Sequence, residues 1–195
     1  LGDIATAESE ALLAAELFNE TGDTWGATLT LIARGLAARG AGEPKRAAEL
    51  LAKACEEAAA TNHVLIGAFC QVLLGLTRLD AGEIDAAEEA AQRALSDLDR
   101  LELRPHAQLG AKVLVAQIAR ARGRLDEAIA ELRAALAVGE PVTLMFPRRQ
   151  AYAHLAGTLL EAGHPEDALL VARKAVSVDA EDVRAQVLAY RALGT

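Results

Sequence analysis

Small apolar residues recur along this chain at fixed intervals. Ala47, Leu51 and Ala54 stand at steps of four and three. The same steps carry Ala7, Ala11 and Ala14, then Ala87, Ala91 and Ala94, then Ala128, Leu132 and Ala135, and finally Ala168, Ala172 and Ala175. Such steps place side chains on one face of a helix. Five residues before each set comes a glycine: Gly2, Gly42, Gly82, Gly123 and Gly163, spaced 40, 40, 41 and 40 residues apart. A second amphipathic stretch precedes each of the last four. It holds Leu29, Ile32, Ala33 and Leu36; then Phe69, Val72, Leu73 and Leu76; then Leu109, Val113 and Ala116; then Tyr152, Leu155, Ala156 and Leu159.

Each unit therefore reads as a helix, a tight turn at glycine and a second helix. Glycine suits the position just past a helix end because it tolerates left-handed backbone angles. Pro44 and Pro165 follow two residues later, at the expected start of the second helix. Pro105 and Pro147 stand where first helices should begin, while Pro141 falls in a linker after Gly139. Proline is favoured at a first helical position, where no amide hydrogen is needed. The pattern predicts one all-α solenoid of antiparallel helix pairs over 1–195. It has a half repeat at 1–21, units at 22–61, 62–102, 103–142 and 143–179, and a truncated helix at 180–195.

Composition agrees. Of 195 residues, 52% are apolar but only 3% aromatic, with 45 Ala and 31 Leu. Such a core fits closely packed helices and argues against all-β and α/β sandwich folds. A net charge of −8 argues against a general nucleic-acid binder. Cys55 and Cys70 make no disulfide framework and read as buried small residues in a reducing cytosol, so the expected location is cytoplasmic. The uncharged stretch from Ala58 to Thr77 is interrupted by Thr61, Asn62, His63 and Gln71 and reads as buried helix, not a membrane span.

In register, these positions resemble the tetratricopeptide repeat, whose signature runs large residue, Leu-Gly, medium residue, Gly, Ala, large residue, Ala. Unit one matches with Gly35, Ala38, Gly42, Ala47, Leu51 and Ala54. Unit two offers Leu74, Gly75, Gly82, Ala87 and Ala94. Unit three has Ala116 for the first Gly, then Gly123, Ala128, Leu132 and Ala135, and unit four has Tyr152, Leu155, Ala156, Gly163, Ala168 and Ala175. The family's usual period is 34 residues. From Gly35 to Ala54 the family spacing is intact, so the extra residues must lie between a second helix and the next first helix. Either both helices are longer at that edge or its loop is. Neither end looks like the polar cap of a solenoid, and the chain reads as a piece of a longer protein that self-associates through its uncapped ends.

No catalytic or metal constellation is visible. His63, His106, His154 and His164 do not recur at metal-ligand spacing, and no glycine-rich phosphate loop occurs. No cofactor is expected. The resemblance implies a non-enzymatic module whose first helices line a concave face. The positions expected there are Leu29, Ile32, Leu36 and Arg39; Phe69, Val72, Leu76 and Leu79; Gly110, Val113, Gln117 and Arg120; and Gln150, Ala153, Gly157 and Leu160. These are apolar in the first half and polar or small in the second. At the elongated edge, equivalent positions hold Trp25, Leu65, His106 and Phe146, the last followed by Arg148 and Arg149. Two readings stand for this column: anchors of a binding site, since Trp and Arg are hot-spot types, or fillers of a wider gap. Trp25, Leu29, Phe69, His106, Phe146, Arg148 and Arg149 are the candidate partner-binding residues. Arg120, Arg122 and Arg124 form a basic run around one turn, read as complementing a helix end.

The long period and Ala-rich units are also similar to repeats of LuxR-type and related signal-transduction ATPases, such as the maltose-regulon activator. That resemblance implies the regulatory repeat region of a larger bacterial transcriptional regulator, sensing a protein, a peptide or a small-molecule inducer. No nucleotide loop or helix-turn-helix is visible, so no direct contact with nucleic acid or membrane is expected through this segment. The alternative is a stand-alone adaptor that holds a peptide or a partner protein.

Overall fold

The computed structural model of the chain describes residues 4–101, 108–137 and 148–176. Among them all regular secondary structure is helical. The helices are α1 (Ile4–Thr21), α2 (Thr24–Gly40), α3 (Pro44–Ala60), α4 (Val64–Asp80), α5 (Ile84–Arg100), α6 (Leu109–Ala121), α7 (Leu125–Ala137) and α8 (Arg148–Glu161). A ninth, α9, covers residues 165–176. They belong to two compact units, Leu1–Arg104 and Pro105–Thr195. In the first unit each helix packs on the next. In the second, α6 packs on α7, and α8 packs on both.

One turn chemistry closes every described connection between helices. At Gly42 the backbone φ is +77°, and Glu43 N–H reaches back to the carbonyl of Ala38 at 2.9 Å. This is a Schellman closure, in which a left-handed residue lets the chain satisfy the last carbonyls of the helix it leaves. The same backward bond joins Asp23 to Phe18, His63 to Ala58, Glu83 to Arg78, Arg124 to Ala119 and His164 to Leu159. Glycine holds the left-handed position in each case except Asn62, at φ +57°. Asn is the side chain that tolerates this region best. Two of these turns, at Gly22 and Asn62, join a second helix to the next first helix. The pattern of repeated glycines did not mark them.

Those turns explain the long period. From α2 to α5 every helix has 17 residues, and each turn between them is short. The residues beyond the usual period therefore lengthen the helices and leave the α3–α4 loop tight. Helix starts follow local chemistry. Asp23 caps α2 by accepting from Gly26 N–H at 3.0 Å, and Pro44 opens α3. Pro105, Pro141 and Pro147 lie outside the described residues.

The core is the repeated small-residue face. Ala47, Leu51, Ala54, Ala87, Ala91, Ala94, Ala128 and Leu132 are buried, with Ala135, Ala168 and Ala175 close behind. Gly35 shows why small residues are needed: a Cβ built there would lie 2.8 Å from the Leu51 side chain. Thr28, Thr77 and Thr158 are also buried, and each hydroxyl bonds to a carbonyl one turn back. Their polar atoms are thereby satisfied without leaving the helix.

Ala87→Leu and Ala128→Leu should each overpack a seam and lower stability by about 1–3 kcal/mol. Ala59→Leu, at an exposed position on α3, should leave the urea midpoint nearly unchanged. Equal midpoints for all three variants would show that the buried face has been misassigned.

Candidate functional site

The side chains singled out at the elongated edge are positioned by the start of α2 and by the α3–α4 turn. Asp23 fixes where α2 begins, so Trp25 stands on its first turn with 47% of its surface exposed. Its indole meets the His63 ring edge-on, with centroids 5.4 Å apart and planes at 80°, an arrangement favoured by the ring quadrupoles. His63 precedes α4, and its Nδ1 lies 3.1 Å from the Thr61 hydroxyl. The tight turn around Asn62 thus carries one wall of the Trp25 contact.

An exposed apolar stripe continues along α2. Leu29 is 39% exposed and Leu36 41%, with exposed Ala33 between them. Steps of four, four and three keep Trp25, Leu29, Ala33 and Leu36 on one face. The stripe ends at Arg39, whose Nε donates to Asp80 at 2.6 Å on the end of α4. On α4 the equivalent stripe fades. Leu65 is exposed, Phe69 is half-buried, and Leu76 is buried.

The expected groove-lining set needs correction at four positions. Ile32, Val72, Leu76 and Val113 are buried and pack in the helix seams, because the adjacent helix covers that face. Leu29, Leu36, Gln150, Ala153 and Leu160 are exposed, while Gly110, Gln117 and Gly157 are half-buried. The change from apolar to polar between the halves is also visible. In the second unit Gln117 Nε2 lies 3.2 Å from His154 Nε2, and Arg120 Nε donates to Glu161 at 2.6 Å.

The seven candidate residues divide between the units. Trp25, Leu29 and Phe69 belong to the first and Arg148 and Arg149 to the second, whereas His106 and Phe146 lie outside the described residues. Arg148 is engaged structurally. Its Nη2 donates to the Leu136 carbonyl of α7 at 2.8 Å, and its guanidinium lies 5.9 Å from the Tyr152 ring centroid. It therefore ties α8 to the end of α7. Arg149 is exposed. Arg120 and Arg124 of the basic run are taken up by Glu161 and Glu127.

A recurring ion pair escaped the sequence reading. Arg39 and Arg120 each stand three residues before a turn glycine, and Asp80 and Glu161 each stand two before the next one. The pairs Arg39–Asp80 and Arg120–Glu161 are therefore the same repeat contact made twice. The intervening repeat carries Leu79 where the arginine would be. The signal was present as charge at fixed distances from glycine. Also unsignalled was a cleft of 330 Å³ between α1, α2 and α3, lined by Phe18, Thr30, Leu31, Arg34, Lys53 and Glu57 among others. Among the described residues no cluster of three or more His, Cys, Asp or Glu side chains suits a metal ion. Nor is any described helix long and apolar enough to cross a membrane.

No family model matches the chain, and no curated protein matches it in sequence. Similarity lies in the fold. BtubC (BKLC) from P. vanneervenii superposes with a TM-score of 0.67 at 18% identity, over 92% of this chain and 74% of its own. A Podosopora anserina protein of nearly identical TPR-like repeats gives 0.62 at 18% identity, over 94% of this chain and 90% of its own. The Rap conjugation gene regulator of the plasmid pLS20, in complex with the Phr peptide, gives 0.68 at 14% identity, over 88% of this chain and 53% of the regulator. At these identities the likeness shows the fold: an all-α helical-repeat solenoid of the TPR-like kind.

If the α2 stripe is a surface and not a seam, truncating it should cost little stability. Trp25→Ala and Leu29→Ala should each change the unfolding free energy by about 1 kcal/mol or less. Leu51→Ala, at a fully buried position, should cost about 2–5 kcal/mol. Urea denaturation of the three variants checks this. Losses at Trp25 and Leu29 matching that at Leu51 would assign both residues to packing.

Proposed function

We propose that this chain is a non-enzymatic, cytoplasmic protein-interaction module that takes a peptide or an extended segment of a partner protein along the first-helix face of its first unit. The observation that carries the reading is the exposed stripe of Trp25, Leu29, Ala33 and Leu36. An exposed Trp flanked by Leu on one rigid helix is the kind of surface on which a few anchors supply most of the binding energy. Helical-repeat proteins commonly use extended surfaces of stacked helices in this way. The TPR-like fold, shared with a regulator captured in complex with a peptide, supports the same class of partner.

The finer reading is that the module is the regulatory repeat region of a larger bacterial transcriptional regulator, with a peptide, a protein or a small-molecule inducer as its signal. It rests on the long period and Ala-rich units in the sequence. A stand-alone adaptor that holds a peptide or a partner protein is the second reading. His106, Phe146 and Arg149 are the candidate partner-binding residues of the second unit. Arg148 is a supporting residue in this scheme, since it already bonds to Leu136.

Selection from a random-peptide display library with the whole chain as bait, followed by calorimetric titration of the selected peptides, tests the proposal. Trp25→Ala and Leu29→Ala should each weaken binding about tenfold or more, the scale of losing a hot-spot anchor, with helix content unchanged. Selected peptides that bind both variants as tightly as the parent would move the site elsewhere.

The apolar face of α1 is a further surface. Leu12, Leu13 and Leu17 are 44%, 60% and 55% exposed, and we assign self-association to it. Leu193, at the other end, lies outside the described residues. Replacing Leu13 and Leu17 together by Glu should shift the protein toward monomer in sedimentation velocity. A parent that is monomeric at high concentration would remove this assignment.

A further inference from the structure

The chain has only two cysteines, fifteen positions apart, and folding brings them together across the α3–α4 seam. Cys55 lies on α3, half-buried, and Cys70 on α4, buried. α3 packs antiparallel on α4, and the register that sets Ala58 against Gly67 sets Cys55 against Cys70 one turn further along. Packing alone does not call for sulfur at either place. Where Cys55 stands, the other repeats carry Ala15, Leu95, Leu136 and Val176; where Cys70 stands, they carry Thr30, Ala111 and Ala151. Residues without a thiol therefore serve both positions elsewhere.

Access is asymmetric. Cys55 lines a pocket of 200 Å³ together with His63, Gly67, Gln71, Asp97 and Arg100, whereas Cys70 has no exposed surface. Gln71 Oε1 in the same pocket is buried and has no hydrogen-bond partner, so it can accept from a small hydroxylic molecule entering there. The two thiols are also chemically unequal. The hydrogen bond from Cys70 lowers the Cys55 thiol below its ordinary range, against the opposing effect of burial and with help from the charges of Arg78 and Arg93. Donating that bond, together with burial, pushes Cys70 up. Cys55 is thus the better nucleophile and Cys70 the group held against it.

We propose that Cys55 and Cys70 form a reversible redox site, in which a peroxide entering the pocket oxidises Cys55 and Cys70 resolves it to a disulfide joining α3 to α4. The Cys55 thiolate attacks one peroxide oxygen, the O–O bond breaks, and the departing hydroxide takes up a proton to leave as water. The product is a sulfenic acid. The Cys70 sulfur then attacks that sulfur, the S–O bond breaks, an S–S bond forms, and the oxygen leaves as a second water carrying the Cys70 proton. Two thiols are oxidised by two electrons and one peroxide is reduced to two waters. A dithiol reductant reverses the bond by thiol–disulfide exchange. The bond would clamp α3 to α4 across the turn that carries His63 against Trp25. This inference concerns the seam and stands whether or not the α2 stripe binds a peptide.

The test treats the full, reduced chain with hydrogen peroxide near stoichiometry and follows it by intact mass and non-reducing electrophoresis. The expected product is a monomer lighter by two hydrogen atoms, with Cys55 and Cys70 peptides linked, a higher thermal midpoint, and both thiols restored by dithiothreitol. Cys70→Ala, which puts at this site the residue found at Ala111, should stop at a sulfenic acid on Cys55 that dimedone captures. Cys55→Ala should leave Cys70 oxidised about tenfold more slowly or less, as expected of a buried thiol without its partner. Oxidation of the parent to intermolecular dimers or directly to sulfinic acid would overturn the proposal. So would retention of both thiols, or unslowed reaction of Cys70 in the Cys55→Ala variant.

Discussion

The close approach of adjacent helices is the constraint from which the rest of this structure follows. Between α2 and α3 there is no room for a methyl group at Gly35 without moving Leu51. In the seams of α3, α5 and α7, alanines and leucines at steps of four and three are buried. Close packing of small residues makes many weak dispersion contacts, which sum to a large stabilisation only when no gap is left. A chain that uses this solution needs few aromatic residues. Those it does have are then free for edges and surfaces, where Trp25 is found.

Length enters through the turns. Because one left-handed residue and one backward hydrogen bond close each described connection, almost no residues are spent on loops between α1 and α5. The long period therefore becomes helix length. Longer helices extend past the segment that carries the TPR-like spacing, and at that extension Trp25 reaches the His63 ring. The other edge is held by charge. Arg39 reaches Asp80 and Arg120 reaches Glu161 from equivalent positions. These pairs are exposed, and exposed pairs contribute little stability; their regular spacing instead sets how successive first helices line up within each unit.

The same seam brings Cys55 and Cys70 together. A thiol pair in an otherwise Ala- and Leu-rich core is chemically distinct from its surroundings, since only sulfur can change its bonding there. The tight α3–α4 turn places one member by a pocket and hides the other, which is the asymmetry a resolving cysteine requires.

The sequence by itself determined the helices, their pairing and the TPR-like fold, because a buried face must repeat at the helical period and a helix end must be closed. The Ala47–Leu51–Ala54 pattern and the glycine interval are direct records of those two demands. It also marked Trp25 as unusual, since a single Trp stands out against so much Ala. Only the tertiary structure decided which apolar residues remain exposed. Ile32, Val72 and Val113 looked like Leu29 in sequence, yet the neighbouring helix covers them and leaves Leu29 in solvent. It likewise decided that the extra residues lengthen helices, that Arg148 bonds to Leu136 instead of standing ready for a partner, and that Cys55 meets Cys70. Helical periodicity specifies a face, but contact between faces depends on which helix lies opposite and at what register. One-dimensional spacing does not carry that information.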